Sequence, residues 1–314
     1  MRTVVIGGTG HIGTYLVPML VEAGHEVVVL SRGRRAPYQP DEAWLRAEVV
    51  TVDREAEDAA GTFGTRVRDL GAEVVVDLIC FTEPSARHLL ESLSGEVGHL
   101  LHCGTIWVHG PSGMVPTRED TPRRPFGEYG IAKAAIERLL LGQDDVPVTV
   151  IHPGHISGPG WPPINPAGNL DLAVFEKLAT GAELALPDRG LETLQHVHAR
   201  DIAAEFMAAI DNRSAAVGES FHAVADGAMT LRGYAEGVAE SFGREANLAF
   251  LPWDEWRQTV TPRDAEITWD HIAHSPNCSM DKAARLLDFR PRYSAIEAAL
   301  SGVSWLVENG KITT

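Results

Sequence analysis

The sequence predicts an α/β fold: a doubly wound parallel sheet with helices on both faces and a smaller interleaved C-terminal lobe. Short runs of β-branched and aliphatic residues alternate with amphipathic stretches of helical spacing over positions 1–153. The runs are apolar almost throughout, which is typical of parallel strands buried on both faces. With 314 residues, 44% of them hydrophobic, the chain is long enough for one large domain and a smaller lobe.

Six strands and a connecting helix are predicted in this first half. The helix follows the first strand, with Leu16 and Leu20 on its apolar face and Gly24 placed to end it. Right-handed crossovers between such strands produce a doubly wound sheet. The predicted strands are 3–6, 26–30, 48–52, 73–81, 99–102 and 146–151.

The pattern changes after Pro153. Residues 155–169 contain three glycines and four prolines, so we expect a long loop, and such loops are often functional. Because no clean linker is visible, we expect two interleaved lobes: 1–153 with about 191–226 forming the sheet domain, and about 154–190 with 227–314 forming a substrate-binding lobe. Helices are predicted at 172–178, 202–210, 230–242 and 295–308, and a strand at 220–224.

Charge and cysteine content disfavour several classes of partner. Lys and Arg number 27 against 43 Asp and Glu, and this formal net charge of −16 disfavours binding to nucleic acid. No apolar run approaches the roughly 20 residues that a membrane helix requires. The three cysteines do not suggest a disulfide framework. We therefore expect a cytoplasmic protein with a small-molecule substrate and no membrane partner.

A glycine-rich turn between the first strand and the first helix predicts a dinucleotide site. Gly7, Gly10 and Gly13 would allow a tight turn, close approach to a pyrophosphate and close packing of helix on strand. The helix N-terminus, at His11 and Ile12, would supply free N–H groups for the phosphates. The alternative is a purely structural turn, but the preceding strand and following amphipathic helix favour a Rossmann-type cofactor site.

The residues after the second strand predict NADP as the cofactor, with NAD as the alternative. NAD sites usually carry an acidic residue here, whereas this chain has Ser31, Arg32 and Arg34. Guanidinium groups can neutralise and hydrogen-bond a 2′-phosphate, although the segment could instead be a solvated basic turn. Asp53, at the end of the third strand, is placed either to accept a hydrogen bond from the adenine amino group or to cap the next helix.

A Tyr-x-x-x-Lys pair forms the candidate catalytic site. The spacing of Tyr129 and Lys133 places both side chains on one helix face. We expect the ammonium to lower the tyrosine pKa, which would make the phenol a usable acid and base near neutral pH. Thr105 follows the fifth strand at the sheet edge where such folds bind ligands, and its hydroxyl could bond a substrate oxygen.

Together these segments resemble the extended short-chain dehydrogenases/reductases, also called the NAD-dependent epimerase/dehydratase family. The resemblance covers nearly the whole chain. It includes the glycine turn, Thr105 five residues before Gly110, and the pair Tyr129 and Lys133. Residues 152–159 look like the family segment beside the nicotinamide, and the stretches 196–203 and 279–291 resemble two further family segments.

The resemblance implies hydride transfer by a homodimer. Tyr129 would exchange a proton with the substrate oxygen while hydride passes between the substrate carbon and the nicotinamide. Lys133 would lower the tyrosine pKa and hold the ribose, and Thr105 would orient the oxygen. The cofactor contacts expected from the residues and the resemblance together are Gly7, Gly10, His11, Ile12, Gly13, Ser31, Arg32, Arg34, Asp53, Tyr129, Lys133, Pro153 and His155.

Departures from the family pattern narrow the expected reaction. Ile106 and Trp107 stand where sugar 4,6-dehydratases carry an Asp-Glu pair and near where decarboxylating members have a glutamate, so both reactions are disfavoured. His109 and His155 replace a usual Tyr and a frequent Asn, and we expect both near the substrate. We favour an epimerase acting on a sugar or nucleotide sugar. The alternative is an NADP-dependent ketone or aldehyde reductase or alcohol dehydrogenase.

The remaining histidines and arginines are weaker candidates for ligand binding. Two histidine-rich segments could be taken for metal ligands: His196-x-His198 and the group Asp270, His271, His274 and Cys278. Metal binding needs convergent ligands, which a sequence does not show, and the resemblance gives the first pair no metal role, so we expect no metal. Five arginines are candidates for gripping a substrate diphosphate, with solvated surface as the alternative: Arg189, Arg232, Arg263, Arg290 and Arg292. A third hypothesis is a non-catalytic cofactor sensor or an RNA-binding relative. It predicts loss of the Tyr and Lys pair and, for RNA, a basic surface, whereas this chain keeps the pair and is acidic.

Overall fold

The computed structural model describes all residues from 1 to 314 and confirms the predicted α/β fold. The strands are β1 (Arg2–Ile6), β2 (Glu26–Ser31), β3 (Glu48–Thr51), β4 (Val74–Asp77), β5 (His99–Cys103), β6 (Val148–Pro153), β7 (His155–Ser157), β8 (Leu184–Pro187), β9 (Thr193–Leu194), β10 (His196–His198), β11 (Ser220–Ala223), β12 (Met229–Thr230) and β13 (Leu248–Leu251). The helices are α1 (Gly13–Glu22), α2 (Arg54–Ala59), α3 (Phe63–Asp69), α4 (Glu83–Leu93), α5 (Gly127–Leu141), α6 (Ala173–Thr180), α7 (Ala199–Asp211), α8 (Arg213–Ala216), α9 (Leu231–Ser241), α10 (Trp253–Trp256), α11 (Pro262–His274), α12 (Asp281–Leu287) and α13 (Ala295–Glu308).

Seven parallel strands form the central sheet, in the order β11-β6-β5-β4-β1-β2-β3. The winding of the chain reverses between β1 and β4, because the strands that follow β1 go to one side and those that follow β4 go to the other. In sheets of this kind, ligands bind beyond the carboxyl ends of the strands at such a reversal.

Alternate side chains of the strands fill two apolar cores, one on each face of the sheet. On one face, Val5 and Val29 pack with residues of α1 and α7. On the other face, Val4 and Ile6 pack with residues of α3, α4 and α5. Burial on both faces explains why these strands are almost continuously apolar.

A third apolar core lies outside the central sheet. It is formed by α6, α9 and α13 with the paired strands β8 and β13, and it contains Phe175, Tyr234 and Leu306. All of its buried residues fall between positions 167 and 312. The division into a sheet domain and a substrate-binding lobe stays our proposal. None of the helices combines the length and the apolar character needed to cross a bilayer.

Several predicted boundaries differ from the structure by one to four residues. The fourth strand ends at Asp77 instead of 81, because the Asp77 carboxylate accepts hydrogen bonds from Arg54, at 2.6 Å, and from the Ile79 N–H, at 3.2 Å. These bonds hold the chain in a turn as it leaves the sheet. The predicted loop 155–169 begins with a short strand, β7, which pairs with β10. The sequence analysis names no helix at the positions of α3, α4, α8, α10, α11 and α12, and it mentions α2 only as the helix that Asp53 could cap. Helices of four to seven residues, such as α8, α10 and α12, are too short to show a clear periodicity.

Candidate active site

The predicted glycine turn lies between β1 and α1. Gly7 has a φ of 82°, a conformation that glycine adopts without strain. A Cβ at Gly13 would lie 2.1 Å from the Gly8 carbonyl oxygen, so only glycine lets α1 pack this closely on the turn. No side chain caps the N-terminus of α1, and its first N–H groups are therefore available to a phosphate.

One cavity of about 1260 Å³ connects this turn to the candidate catalytic residues. Of the residues predicted to be catalytic or to bind the cofactor, only Gly13 does not line this cavity, because it packs against Gly8. Those that do line it are Gly7, Gly10, His11, Ile12, Ser31, Arg32, Arg34, Asp53, Thr105, Tyr129, Lys133, Pro153 and His155. The fold thus brings residues that are up to 148 positions apart in the sequence into one space at the sheet edge (Gly7 to His155, 155 − 7 = 148).

The end of the cavity beyond β2 and β3 is lined by arginines and by the carboxylates of Asp53, Glu55 and Asp58. Arg32 and Arg34 line it together with Arg35, and all three are exposed. Arg34 lies 3.8 Å from the carboxylate of Asp53. Asp53 also accepts a hydrogen bond from the Ala56 N–H at 3.3 Å, so in this structure it caps α2. This is the helix-capping alternative of the sequence analysis. Its side chain remains 45% exposed and still lines the cavity.

Arg54 is a cavity residue that the sequence analysis missed. Its guanidinium is buried, and it donates to Asp77 at 2.6 Å, to Ser85 at 3.0 Å and to Asp58 at 3.4 Å. Its Nη2 has no hydrogen-bond partner. No sequence signal marks this residue, because 54–58 has the composition of an exposed, charged helix. The burial arises only when α4 supplies Ser85.

The predicted catalytic pair lies in the first half of α5. Tyr129 and Lys133 are on one face of this helix, and the Lys133 ammonium lies 6.0 Å from the centroid of the Tyr129 ring. Lys133 is 2% exposed, and its Nζ donates to the carbonyl oxygens of Cys80 and Cys103, at 2.7 Å each. Thr105 follows β5 and caps the short 3₁₀ helix Ile106–His109.

The expected lowering of the tyrosine pKa is not seen in this structure. Although Tyr129 is 43% exposed, partial burial raises its pKa to about 12, and the nearby Cys103 acts in the same direction. A hydrogen bond with the Thr105 side chain opposes this shift without reversing it. The prediction was wrong here because the Lys133 ammonium is directed to backbone carbonyls instead of the phenol.

A buried hydrogen-bonded array holds the peptide of Thr105. The Thr105 N–H donates to His152 Nδ1 at 3.0 Å, which places the His152 proton on Nε2. That Nε2 donates to Glu137 at 2.9 Å, and Glu137 in turn accepts two bonds from Arg123, at 2.6 and 2.9 Å. Burial alone would raise the pKa of Glu137, but the bonds from Arg123 and His152 outweigh it and hold that pKa well below its usual range.

His109 belongs to a second buried group and does not reach the substrate cavity, which corrects the sequence expectation. Its Nδ1 lies 3.3 Å from Arg123, and its Nε2 lies 2.7 Å from Nε2 of His222. Burial and Arg123 lower the pKa of His109 to about 3, and burial lowers the pKa of His222 well below its usual value. Both imidazoles are therefore neutral and serve packing between β11 and the loop that follows β5.

The proline-rich loop packs over the glycine turn. Trp161 stacks on His11 with ring centroids 3.7 Å apart, and Tyr38 contacts both rings, with centroid distances of 4.9 Å to His11 and 5.1 Å to Trp161. Burial and Arg35 lower the pKa of His11 to about 4, so this imidazole is neutral at pH 7. The predicted functional loop thus forms one wall beside the cofactor turn.

The remaining histidine and arginine candidates lie outside the cavity. His271 and His274 bond to backbone carbonyl oxygens of their own helix, at 2.7 and 2.6 Å, and both pack on Trp107. No group of three or more potential ligands is arranged to hold a metal ion. Of the five arginines proposed to grip a diphosphate, none lines the cavity, and Arg232 and Arg263 pair with glutamates of their own helices.

The sequence is similar to a family of known proteins over most of its length. Residues 3–223 match the family model described as the NAD dependent epimerase/dehydratase family. The 2′-dehydrokanamycin reductase of Streptomyces kanamyceticus is 27% identical over 99% of this chain and 86% of its own length. A chloroplast stem-loop binding protein of 41 kDa, form b, from Arabidopsis thaliana is 24% identical over 94% of this chain and 76% of its own length.

Two solved structures share the fold. A UDP-glucose 4-epimerase with UDP-glucose from Thermotoga maritima is 20% identical and has a TM-score of 0.74, over 98% of this chain and 99% of its own. A dTDP-glucose 4,6-dehydratase from Bacillus anthracis in complex with NAD is 16% identical with a TM-score of 0.74, over 99% of this chain and 98% of its own. At these identities the likeness shows the fold alone, and the presence of a dehydratase gives no support to excluding dehydration.

Proposed function

Because the chain belongs to the NAD-dependent epimerase/dehydratase family, which confirms the resemblance seen in the sequence, we propose that it is an NAD(P)-dependent enzyme that transfers hydride at a hydroxyl-bearing carbon of a sugar-like substrate. The observation that carries this proposal is the single cavity that joins the glycine turn to Thr105, Tyr129 and Lys133. The full-length similarity to a sugar-derivative reductase supports the substrate class.

The residues present fit a dinucleotide. The uncapped N-terminus of α1 and the close packing at Gly13 suit a pyrophosphate, and Asp53 and Arg34 border the adenosine end of the cavity. Pro153 and His155 border the opposite end, beside the catalytic residues. When bound, the nicotinamide supplies or accepts the hydride.

Three side chains handle the proton and the substrate oxygen. Tyr129, with its raised pKa, keeps its proton at neutral pH and can donate it to an oxygen that gains negative charge. The Thr105 Oγ1 accepts the Trp107 N–H at 3.3 Å, and the Thr105 O–H, which faces the Tyr129 hydroxyl, can turn to the substrate oxygen. Lys133 uses two of its three N–H donors on carbonyls, and the third stays available to the cofactor ribose.

Ketone reduction with exchangeable cofactor is the reaction that these features support best. The exposed arginines at the adenosine end suit NADP, which reductases release after each turnover. Epimerisation of a sugar or nucleotide sugar is the second candidate, supported by the similarity in fold to UDP-glucose 4-epimerase. Ile106 and Trp107 offer no acid or base for dehydration or decarboxylation, so we keep both reactions as disfavoured.

Cofactor exchange distinguishes these two candidates. The purified protein is to be denatured and its supernatant assayed for dinucleotide, and NADPH consumption is to be followed with phosphate-free sugar ketones. A reductase is expected to release little bound dinucleotide and to consume NADPH steadily. Stoichiometric bound dinucleotide, with interconversion of two sugars and no net change in absorbance, would instead establish the epimerase.

Charge reversal tests the choice of NADP. We predict that Arg32→Glu combined with Arg34→Glu raises the Kd for NADPH by about 10–100-fold, because charge-assisted hydrogen bonds to a phosphate contribute roughly 1.5–3 kcal/mol. The Kd for NADH is expected to change little, as measured by fluorescence titration. Arg46→Glu, an exposed position outside the cavity, is the matched control. Equal losses for the two cofactors would contradict a 2′-phosphate site.

A further inference from the structure

The two ends of the cavity differ in charge. All of its arginines lie at the adenosine end, namely Arg32, Arg34, Arg35 and Arg54. At the opposite end the only basic side chain that is charged at neutral pH is Lys133, which is already bonded to two backbone carbonyl oxygens. A diphosphate needs several guanidinium or ammonium N–H groups that are free to donate. The substrate end of this cavity offers only the third N–H of Lys133, which we assign to the cofactor ribose.

The wall of the substrate end is aromatic and uncharged. Trp107 lines it beside Tyr129, and the two rings meet edge to face at 5.9 Å. From behind, His274 stacks on Trp107 at 4.1 Å and His271 meets it edge-on at 5.2 Å. Burial lowers the pKa of both histidines, so neither supplies positive charge at pH 7. Ligand sites of this composition suit an apolar ring face with a few polar groups.

His155 supplies one unused hydrogen-bond donor at this end. It is 8% exposed and lines the cavity, and its Nδ1 accepts the Gln195 N–H at 3.1 Å. Nδ1 also lies 3.2 Å from the Gln195 carbonyl oxygen, but that oxygen already accepts the His155 N–H at 2.9 Å, whereas the Gln195 N–H has no other acceptor. We therefore assign the imidazole proton to Nε2. Nε2 is buried and has no partner in the protein. The Gln195 side chain is itself tied to Ala225 and Cys278, which fixes the backbone that orients the ring.

We propose that the substrate is a phosphate-free, ring-shaped ketone or the corresponding alcohol, which lies against Trp107 and accepts a hydrogen bond from His155 Nε2–H. This inference rests on the proposed function and names the substrate class of the same site. In the reductive direction, the carbonyl carbon accepts hydride from NADPH, the C=O π bond breaks, and the oxygen takes the Tyr129 proton. The products are the secondary alcohol and NADP⁺, and solvent returns a proton to Tyr129.

The first test compares two probes on the wild-type protein. With NADPH, cyclohexanone is expected to be reduced at a rate that Tyr129→Phe abolishes, and with saturating NADP⁺, UDP-glucose at millimolar concentration is expected to leave the melting temperature unchanged. The inference would be overturned if UDP-glucose raised the melting temperature and inhibited ketone reduction competitively. Absence of cyclohexanone turnover by a protein that binds NADPH would also count against it.

The second test addresses His155 directly. Loss of one neutral hydrogen bond corresponds to roughly a threefold to tenfold change in affinity, so His155→Phe is expected to raise the KM for the ketone by that factor while kcat changes less. His155→Gln keeps an N–H donor near the same place and is expected to restore most of the wild-type KM. An unchanged KM in His155→Phe would overturn the assigned hydrogen bond.

Measurement of cofactor binding distinguishes failure of the proposed function from failure of the proposed substrate class. NADPH binding is measured by fluorescence in the wild type and in both His155 variants. Because His155 is also an expected cofactor contact, the ketone KM values are compared at NADPH concentrations that saturate each protein. If the wild type binds no dinucleotide, the proposed function itself fails. If it binds dinucleotide and also UDP-glucose, hydride transfer stands and only the substrate class is wrong.

Discussion

The surroundings of Tyr129 stabilise the neutral phenol more than the phenolate. Burial raises its pKa to about 12, and the Thr105 hydrogen bond only partly opposes this shift. The Lys133 ammonium is 6.0 Å from the ring centroid and bonded elsewhere, so it contributes little to phenolate stabilisation. The four-residue spacing therefore places Tyr129 and Lys133 correctly, but it does not show that the Lys133 ammonium is bonded to backbone carbonyl oxygens.

We predict that Tyr129→Phe lowers kcat for ketone reduction by about 10²–10⁴-fold, since the change removes the proton donor but keeps the ring. NADPH affinity is expected to stay within a factor of about two to three of wild type, because the remaining cavity wall is unchanged. Steady-state kinetics and fluorescence titration measure the two quantities. Tyr293→Phe removes a hydroxyl outside the cavity and serves as the control. A Tyr129→Phe enzyme with wild-type turnover would contradict the assigned role.

At the scale of one element, α5 presents three functional side chains at successive intervals of four residues. Tyr129 and Lys133 line the cavity, and Glu137 lies one turn further along the same face, where it binds His152 and Arg123. One helix face thus carries the proposed proton donor, the ammonium and the buried carboxylate that supports Thr105 through His152. Movement of this face would displace both sides of the catalytic site together.

We predict that Glu137→Gln reduces kcat by at least about tenfold and lowers the free energy of unfolding by about 2–3 kcal/mol. The reason is that Arg123 and His152 lose a buried charged acceptor, and the Thr105 peptide loses its fixed position. Because the cofactor contacts are untouched, the KM for NADPH is expected to change little. Kinetics and urea unfolding provide the measurements.

Glu128→Gln, an exposed change on the same helix, is the control for the Glu137 variant. It is expected to leave both kcat and stability close to wild type. A Glu137→Gln enzyme that loses stability but keeps its kcat would show that the array supports the fold without positioning Thr105.

The sequence predicts the elements with strong periodicity and the residues that share a local motif. The sheet, α1, α5 and the glycine turn follow from short-range patterns, and the contacts of Tyr129 with the cavity follow from one helical turn. The position of Glu137 could have been predicted in the same way, because it extends the four-residue spacing of Tyr129 and Lys133. The environments of Arg54 and His109 could not have been predicted, since they are formed by Ser85 and His222, which are distant in the sequence.

For the whole molecule, the excess of acidic residues includes one carboxyl that the fold encloses completely. Glu205 on α7 is fully buried, and neither of its oxygens has a hydrogen-bond partner. Burial raises its pKa well above the usual value, and the charges of Glu119 and Asp201 act in the same direction. The side chain is therefore neutral in the folded protein at pH values where the unfolded chain would ionise it.

This difference sets the sign of a stability change with pH. Below the ordinary carboxyl pKa, Glu205 is protonated in both states and adds no pH dependence. As the pH rises, the unfolded chain loses the proton and the folded protein keeps it, so the stability of the wild type falls by up to roughly 1.4 kcal/mol per pH unit until the folded pKa is reached. The neutral amide of Glu205→Gln does not ionise in either state.

We therefore predict that Glu205→Gln is more stable than the wild type at pH 8 and that this gain shrinks as the pH falls toward 4.5. Urea unfolding of both proteins at several pH values measures it, and the difference between the two curves removes the contribution of all other titrating groups. Glu240→Gln, at an exposed position, is the control and is expected to show no such trend. A gain that is the same at every pH would mean that Glu205 ionises in the folded protein as readily as in the unfolded chain, and the enclosed carboxyl would then need a cation or water that neutralises it.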